Sequence, residues 1–409
     1  MNPSKRNLYI LTFVLFVVML GYGIVIPILP FYVEDMGAGG TELGLLVASY
    51  AVMRLICGPI WGSLSDRVGR KPILIIGILG YAITMLWFGL ATQLWMLFAA
   101  RILSGILSSA TAPTSMAYIG DSTPEKERGG GMGMLGAAGG VGTILGPALG
   151  GLLAGDSFSL PFFIAAGLSL LSLLLAWLFL PESLPAGERT GLRQAAGNPT
   201  GENAAGKGIV DLRLWLQTVR SPLGILFVLT FISTCGLMIF ASIFGLYALE
   251  RFGFGPQDVG VMMMVLGLVS AVAQGGLAGP LTRRWGDEAV IRGGLLATIA
   301  GFGWMLLADS YWMILLATAF FGLATTLQIP ALTSLTSRRA TLPQGIVMGL
   351  SNSFVSLGRI FGPLLAGFLF DVNIRLPYAG GIAVMGLGFV VSVVFVETQH
   401  AASLRRGVR

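Results

Sequence analysis

Residues 8–33 read LYILTFVLFVVMLGYGIVIPILPFYV, an apolar run without one charged side chain. About 20 such residues cross the hydrocarbon core of a bilayer as a helix. Residues 73–100 and 161–181 are two more runs nearly free of charge. These segments are too long and too uniformly apolar for the alternating strands of a membrane barrel. In lipid, only helices and closed barrels pair all of their own backbone groups. The reading is therefore an all-α membrane protein. The rest of the chain agrees: 409 residues are 55% hydrophobic and 11% charged, with a mean hydropathy of +0.83. A soluble domain carries about 25% charged residues.

Working outward, the pattern predicts twelve transmembrane helices at 8–33, 42–63, 72–91, 94–119, 130–153, 160–181, 222–249, 256–280, 288–308, 311–335, 344–370 and 377–396. Lys5 and Arg6 precede the first span and no small-residue cleavage site follows, so this span is read as a retained helix. With the N-terminus inside, the cytoplasmic segments hold 20 of the 25 Lys and Arg residues. The opposite loops hold only Arg251 and Arg375, and Arg54, Arg101 and Arg359 lie inside spans. That bias predicts a multi-pass protein of the plasma (inner) membrane with both termini cytoplasmic. It also accounts for the net charge of +6 without a nucleic-acid partner.

Several chemistries find no residues. Cys57 and Cys235 lie in apolar spans, so no disulfide is expected, and His400, the single histidine, lies beyond the last span. A histidine proton relay or metal site in the membrane is thus excluded. The Asn-x-Ser/Thr triplets at Asn2 and Asn198 carry proline in the middle, so glycosylation is not indicated. No cofactor and no enzymatic activity are expected.

The chain repeats itself. At a lag of 217, Gly62 matches Gly279, Gly69 matches Gly286, Trp87 matches Trp304, Trp95-Met96 matches Trp312-Met313 and Gly105 matches Gly322. At 216, Gly146-Pro147 matches Gly362-Pro363 and Leu160-Pro161 matches Leu376-Pro377. An even number of helices returns the chain to its starting side, so the repeats are parallel. They predict two pseudo-symmetric six-helix bundles, 1–181 and 222–409, with a substrate site between them. Residues 182–221 form the cytoplasmic linker. Within it Ile209, Leu212, Leu216 and Val219 recur at helical spacing, which predicts an amphipathic surface helix.

The loop after the second span reads Gly62-Ser63-Leu64-Ser65-Asp66-Arg67-Val68-Gly69-Arg70-Lys71-Pro72. Positive-inside anchoring explains the bases but not Asp66 or the glycines. Asp66 can cap a helix or pair with an arginine. The second copy, Gly279 to Gly286, has Arg283 where Asp66 would stand. The pattern is therefore complete in the first half alone. The fifth span carries Gly142, Gly146, Pro147, Gly150 and Gly151, a glycine face with a proline kink.

On these motifs the chain resembles the major facilitator superfamily, and its drug:proton antiporter branch of tetracycline and multidrug exporters. Gly21 and Pro27 to Pro30, Arg101 before Gly105, and Pro181-Glu182-Ser183-Leu184 fit that branch as well. The resemblance implies the major facilitator fold and alternating access. It also implies a small-molecule substrate, protons as the coupling ion and a monomer in the lipid bilayer. In that family the signature loop latches the halves, which makes Asp66, Arg67, Arg70 and Asp121 the candidate latch and coupling residues. Asp121 is expected to pair with Arg70.

None of the 19 acids lies near the centre of a span, and residues 8–33 lack the acid many drug exporters of the branch carry. Arg54, Arg101 and Arg359 are charged at membrane depth, which costs at least about 2.5–3.5 kcal/mol. Such residues either bond to helix carbonyls or face a cavity. The family's cavity-lining helices make Tyr22, Arg101, Phe231, Phe240, Tyr247 and Gln328 candidates, with Arg54, Asn352 and Arg359 from the second and eleventh. An anionic or amphiphilic metabolite or a lipid is the alternative cargo, and a receptor or scaffold the remote one.

Overall fold

A computed structural model describes residues 3–155, 157–184, 222–340 and 343–407. The predicted linker beyond residue 184, with its surface helix at 209–220, lies outside the described residues. Among the described residues there are helices and no strands.

Among the described residues, twelve helices are long and apolar enough to cross a membrane. We number them α1 (Pro3–Asp35), α2 (Gly40–Val68), α3 (Arg70–Leu90), α4 (Leu94–Ser122), α5 (Glu125–Leu153), α6 (Leu160–Phe179), α7 (Pro222–Phe252), α8 (Pro256–Trp285), α9 (Asp287–Leu307), α10 (Tyr311–Arg338), α11 (Gln344–Val372) and α12 (Leu376–Gly407). The all-α, twelve-helix expectation holds. Most helices overrun the predicted spans, α5 by five residues at its start and α12 by eleven at its end, whereas α6 stops two residues short. Hydropathy marks only where lipid is crossed, and a helix continues past that boundary into water. Two helices are interrupted. α4 breaks at Ser109 and Ala110, and α8 contains a π turn over Ala273–Leu277, which inserts one extra residue into the ladder.

The chain forms two compact units. Of the described residues, the first comprises those up to 38, from 49 to 184 and from 255 to 264; the second comprises those from 39 to 48, from 222 to 254 and from 265 onward. In the first, α1 packs on α5 and α6, and α3 on α4 and α6. In the second, α7 packs on α11 and α12, and α9 on α10 and α12. Each pairing recurs six helices later, as an internal repeat requires.

What decides these pairings is residue size, because lipid is as apolar as leucine and offers no hydrophobic gradient between helices. On α3, Leu79, Ile83, Leu86 and Leu90 are exposed, whereas Gly77, Gly80, Ala82 and Gly89 are buried. The bulky face suits lipid, and the small face lets a neighbour approach. The closest approach joins α5 to α1. A Cβ on Gly142 would lie 2.6 Å from the Phe16 carbonyl oxygen, and one on Gly150 2.8 Å from that of Ile24. A Cβ on Gly146 would overlap the Leu20 carbonyl. The second unit repeats the device: Gly358 faces the Phe231 carbonyl at 2.9 Å and Gly362 that of Cys235 at 2.7 Å. The loops after α2 and α8 also correspond, since Gly69 and Gly286 take φ of 119° and 82°. Only glycine adopts such angles freely.

Gly136, also on α5, has nothing within 4 Å of a Cβ. Gly146→Ala should therefore destabilise the protein by about 1–3 kcal/mol, while Gly136→Ala should be neutral or slightly stabilising. Melting temperatures of the two purified variants check this.

Candidate functional site

The end of the first unit where α2 meets α3 gathers the charged signature residues. Gly69 turns the chain so that the last turn of α2 meets the first turn of α3. The free amides there are capped by Glu182, which follows α6. Its carboxylate accepts from the Arg70 backbone N at 2.8 Å and the Lys71 N at 3.2 Å. A carboxylate at a helix N-terminus satisfies open donors and complements the helix dipole. The Arg70 side chain is buried and bonded on three sides. Nη1 meets Asp66 Oδ1 at 2.5 Å and the Ser65 hydroxyl at 2.7 Å, and Nε meets Asp121 Oδ2 at 2.9 Å. Ser65 Oγ donates to the Gly62 carbonyl at 2.8 Å, so the serine fixes the guanidinium plane. Arg67 is exposed.

Asp121 also lines a cavity of about 690 Å³ with Met116, Gly120, Arg128, Met132 and Ser183. Water therefore reaches a carboxylate whose other face holds Arg70. Glu182 stood outside the candidate residues. Its signal was its position as the acid after Pro181, where a chain leaving one helix can cap another.

The second unit carries a counterpart that the degenerate loop concealed. At the lag of 217, Asp66 becomes Arg283, Arg70 becomes Asp287 and Asp121 becomes Arg338. All three charges are inverted. Asp287 is buried, accepts from Ser334 Oγ at 3.1 Å and lies 3.8 Å from Arg338 Nη1. Glu288 pairs with both Arg292 and Arg339. Comparing residue identities hid this copy; comparing charge with sign reversed would have found it. The first cluster holds two carboxylates to one guanidinium; in the second, Asp287 lies beside Arg338, while the exposed Arg283 bonds the Gly279 carbonyl of its own helix. Only the first can take up a proton without first surrendering its sole acid.

At membrane depth in the first unit, Tyr22 and Tyr50 lie with ring centroids 5.8 Å apart. Arg101, 5% exposed, sits 5.6 Å from the Tyr50 ring centroid and 5.7 Å from that of Phe88. Arg54 lies beside Tyr50 and Tyr22. The structure thus brings Tyr22, Arg54 and Arg101 together, with Tyr50 and Tyr81 as unforeseen members. Cation–π contact offsets about 2 kcal/mol of a desolvated guanidinium's cost.

The candidates of the second unit divide. Phe231 is half-buried against Phe361, Asn352 is exposed and Arg359 half-buried on α11. Phe240, Tyr247 and Gln328 are fully buried. Phe240 packs on Phe244 and Phe321 at 4.8 and 4.6 Å. The Tyr247 hydroxyl donates to the Met305 carbonyl at 3.0 Å and accepts from Arg251. Gln328 accepts from Ser233 Oγ at 2.8 Å and donates to Thr298 Oγ1 at 2.8 Å, tying α7, α9 and α10 together.

The family profile of the Major Facilitator Superfamily matches residues 11–341 and 226–408. Multidrug resistance protein 2 of Bacillus subtilis is 34% identical, with 98% of each chain covered. Quinolone resistance protein NorA of Staphylococcus aureus is 28% identical over 98% of this chain and 99% of that protein. Among solved structures, a bacterial homolog of the human lysosomal transporter Spinster superposes with a TM-score of 0.75 at 16% identity. It covers 98% of this chain and 97% of that one, and at that identity shows the fold alone.

The Gln328 network carries a direct test. Gln328→Leu leaves the Ser233 and Thr298 hydroxyls to find new partners in an apolar core. It should lower stability by about 1–3 kcal/mol, read as a fall in melting temperature, whereas Asn352→Leu on the exposed face should leave it unchanged.

Proposed function

The chain belongs to the Major Facilitator Superfamily, a family of secondary transporters, and on that premise we propose that it exports small amphiphilic compounds in exchange for protons. The observation that carries the coupling is the Asp66–Arg70–Asp121 cluster, two carboxylates on one buried guanidinium beside a cavity. Protonating either acid weakens its hold on Arg70 and frees the inner ends of α2, α3 and α4 to shift. The cluster then works as latch and coupling site in one, and the substrate moves by alternating access. The drug-resistance names of the relatives support the amphiphilic cargo. Tyr22, Arg54 and Arg101 of the first unit, with Phe231, Asn352 and Arg359 of the second, are the candidate substrate contacts. The protein acts as a monomer in the inner membrane, and no catalytic step is part of this reading.

Proteoliposomes with an imposed pH gradient test the coupling. Transport of members of a panel of cationic, neutral and anionic amphiphiles should follow the gradient and stop when a protonophore collapses it. Asp66→Asn should lower the initial rate at least about tenfold, a barrier change near 1.4 kcal/mol, with expression unaltered. Transport indifferent to the gradient, or a wild-type rate in Asp66→Asn, overturns the reading.

The charge bias of the loops supports an orientation with both termini in the cytoplasm. A reporter fused after Arg409 should be cytoplasmic, and one inserted beside Asp309 should be outside. Finding both on one side contradicts the proposed orientation.

A further inference from the structure

We propose that the tyrosine-walled cluster around Arg101 is the docking site for the carboxylate of an aromatic organic anion. This names the substrate class of the transport reading above and rests on it. The argument starts from an unsatisfied charge. Arg101 lies seven residues into α4, about 10 Å along the helix, and is 5% exposed. Among the described residues it makes no ion pair, and its buried Nε has no hydrogen-bond partner. The Tyr81 hydroxyl, on a residue 2% exposed, also has none. Tyr81 reaches helix α1 at Gly21, where a Cβ would overlap its hydroxyl. The Tyr50 ring centroid lies 5.6 Å from the Arg101 guanidinium, and Tyr22 and Tyr81 stand within electrostatic reach of it. Arg54 adds a second positive charge beside Tyr50 and Tyr22.

Among the described residues of this unit no carboxylate pairs with these two cations. The described acids of this unit stand at helix ends: Glu34 and Asp35 close α1, Asp66 closes α2, Asp121 closes α4, Asp258 opens α8, and Glu125, Glu127 and Glu182 cap or flank helices. The cluster is nevertheless reachable, because Tyr22, Tyr50 and Arg54 are only partly buried while Arg101 and Tyr81 are covered.

The chemistry selects the ligand. A cationic amphiphile meets two like charges in a low-dielectric wall and is repelled. A neutral one leaves guanidinium donors unpaired, which is costly away from water. A carboxylate accepts two parallel bonds from a guanidinium and has lone pairs left for the Tyr81 hydroxyl. The walls specify the body. Tyr22 and Tyr50 are tilted by 34° with centroids 5.8 Å apart, and Phe88 backs the arginine. Flat rings take another flat ring by offset or edge contact.

The test uses the full chain purified in detergent, without any gradient. Equilibrium dialysis would measure binding of 2-naphthoate, its methyl ester and 2-naphthylmethylammonium. Naphthoate should bind at least about tenfold more tightly than the ester or the ammonium. Arg101→Gln and Arg54→Gln should each bring naphthoate close to the affinity of the ester, leaving ester binding unchanged. Arg101→Lys keeps the charge and should keep the preference for the anion. Tyr81→Phe should weaken naphthoate about threefold, the loss of one hydrogen bond. Equal binding of the ester or the ammonium, no binding of naphthoate, or unchanged naphthoate affinity in Arg101→Gln overturns the proposal. Should that variant not fold, Arg54→Gln and Tyr81→Phe decide by the same criterion. Naphthoate binding without gradient-driven transport would leave this site standing and defeat the coupling. Coupled export by a protein that binds only the ammonium would do the reverse.

Discussion

In a bilayer no water remains to satisfy a stray backbone amide, so each segment of this chain closes its hydrogen bonds within its own helix. That constraint removes the hydrophobic effect as a means of choosing partners, since every helix surface is already apolar. Choice passes to shape. Gly142, Gly146 and Gly150 bring α5 onto the carbonyls of α1, and Gly358 and Gly362 bring α11 onto those of α7. Both bundles are organised around these contacts, and the charged sites sit at depths and ends that the contacts define.

With the backbone closed, each remaining charge needs its own explanation. Where α2 meets α3 in the first unit the explanation is complete. Arg70 has Asp66, Asp121 and Ser65, and the helix that begins with it has Glu182 at its N-terminus. The second unit keeps an Asp–Arg pair but reverses its polarity. Duplication therefore preserved the need for an ion pair at this position and not the direction of the charge. Sign matters for chemistry, because a carboxylate can accept a proton at ordinary pH while an arginine cannot release one. A pair of one acid and one base holds a helix end equally well either way round, whereas proton coupling suits only the acid-rich version.

Arg101 is the opposite case. Aromatic faces soften its burial without neutralising it, and the hydroxyl of Tyr81, within electrostatic reach of it, has no partner. Unpaired polar atoms in a membrane interior destabilise the resting protein, and a ligand that pairs with them gains by removing that cost. Gln328 shows what a polar side chain at depth looks like when its role is structural: every part of it is bonded to Ser233, Thr298 or Ala324.

Much of this was legible in the residues alone. The apolar runs, the lag of 217 and the loop from Gly62 to Pro72 determined the twelve helices, the internal repeat and the family. These are local or periodic properties, and periodicity survives in a linear string. The grouping of Arg70 with Asp121 was legible too, through the family the loop resembles. Three-dimensional packing decided the rest. It made Glu182 a cap, turned Phe240, Tyr247 and Gln328 inward, and ran α12 on to Gly407 past its apolar stretch. It set Tyr50 and Tyr81 around Arg101, although 51 residues separate Tyr50 from that arginine and 20 separate Tyr81. Hydropathy ranks a residue by its chemistry and cannot say which side of a uniformly apolar helix meets lipid and which meets protein. That assignment depends on where glycines let backbones touch, and it exists only once the helices are packed.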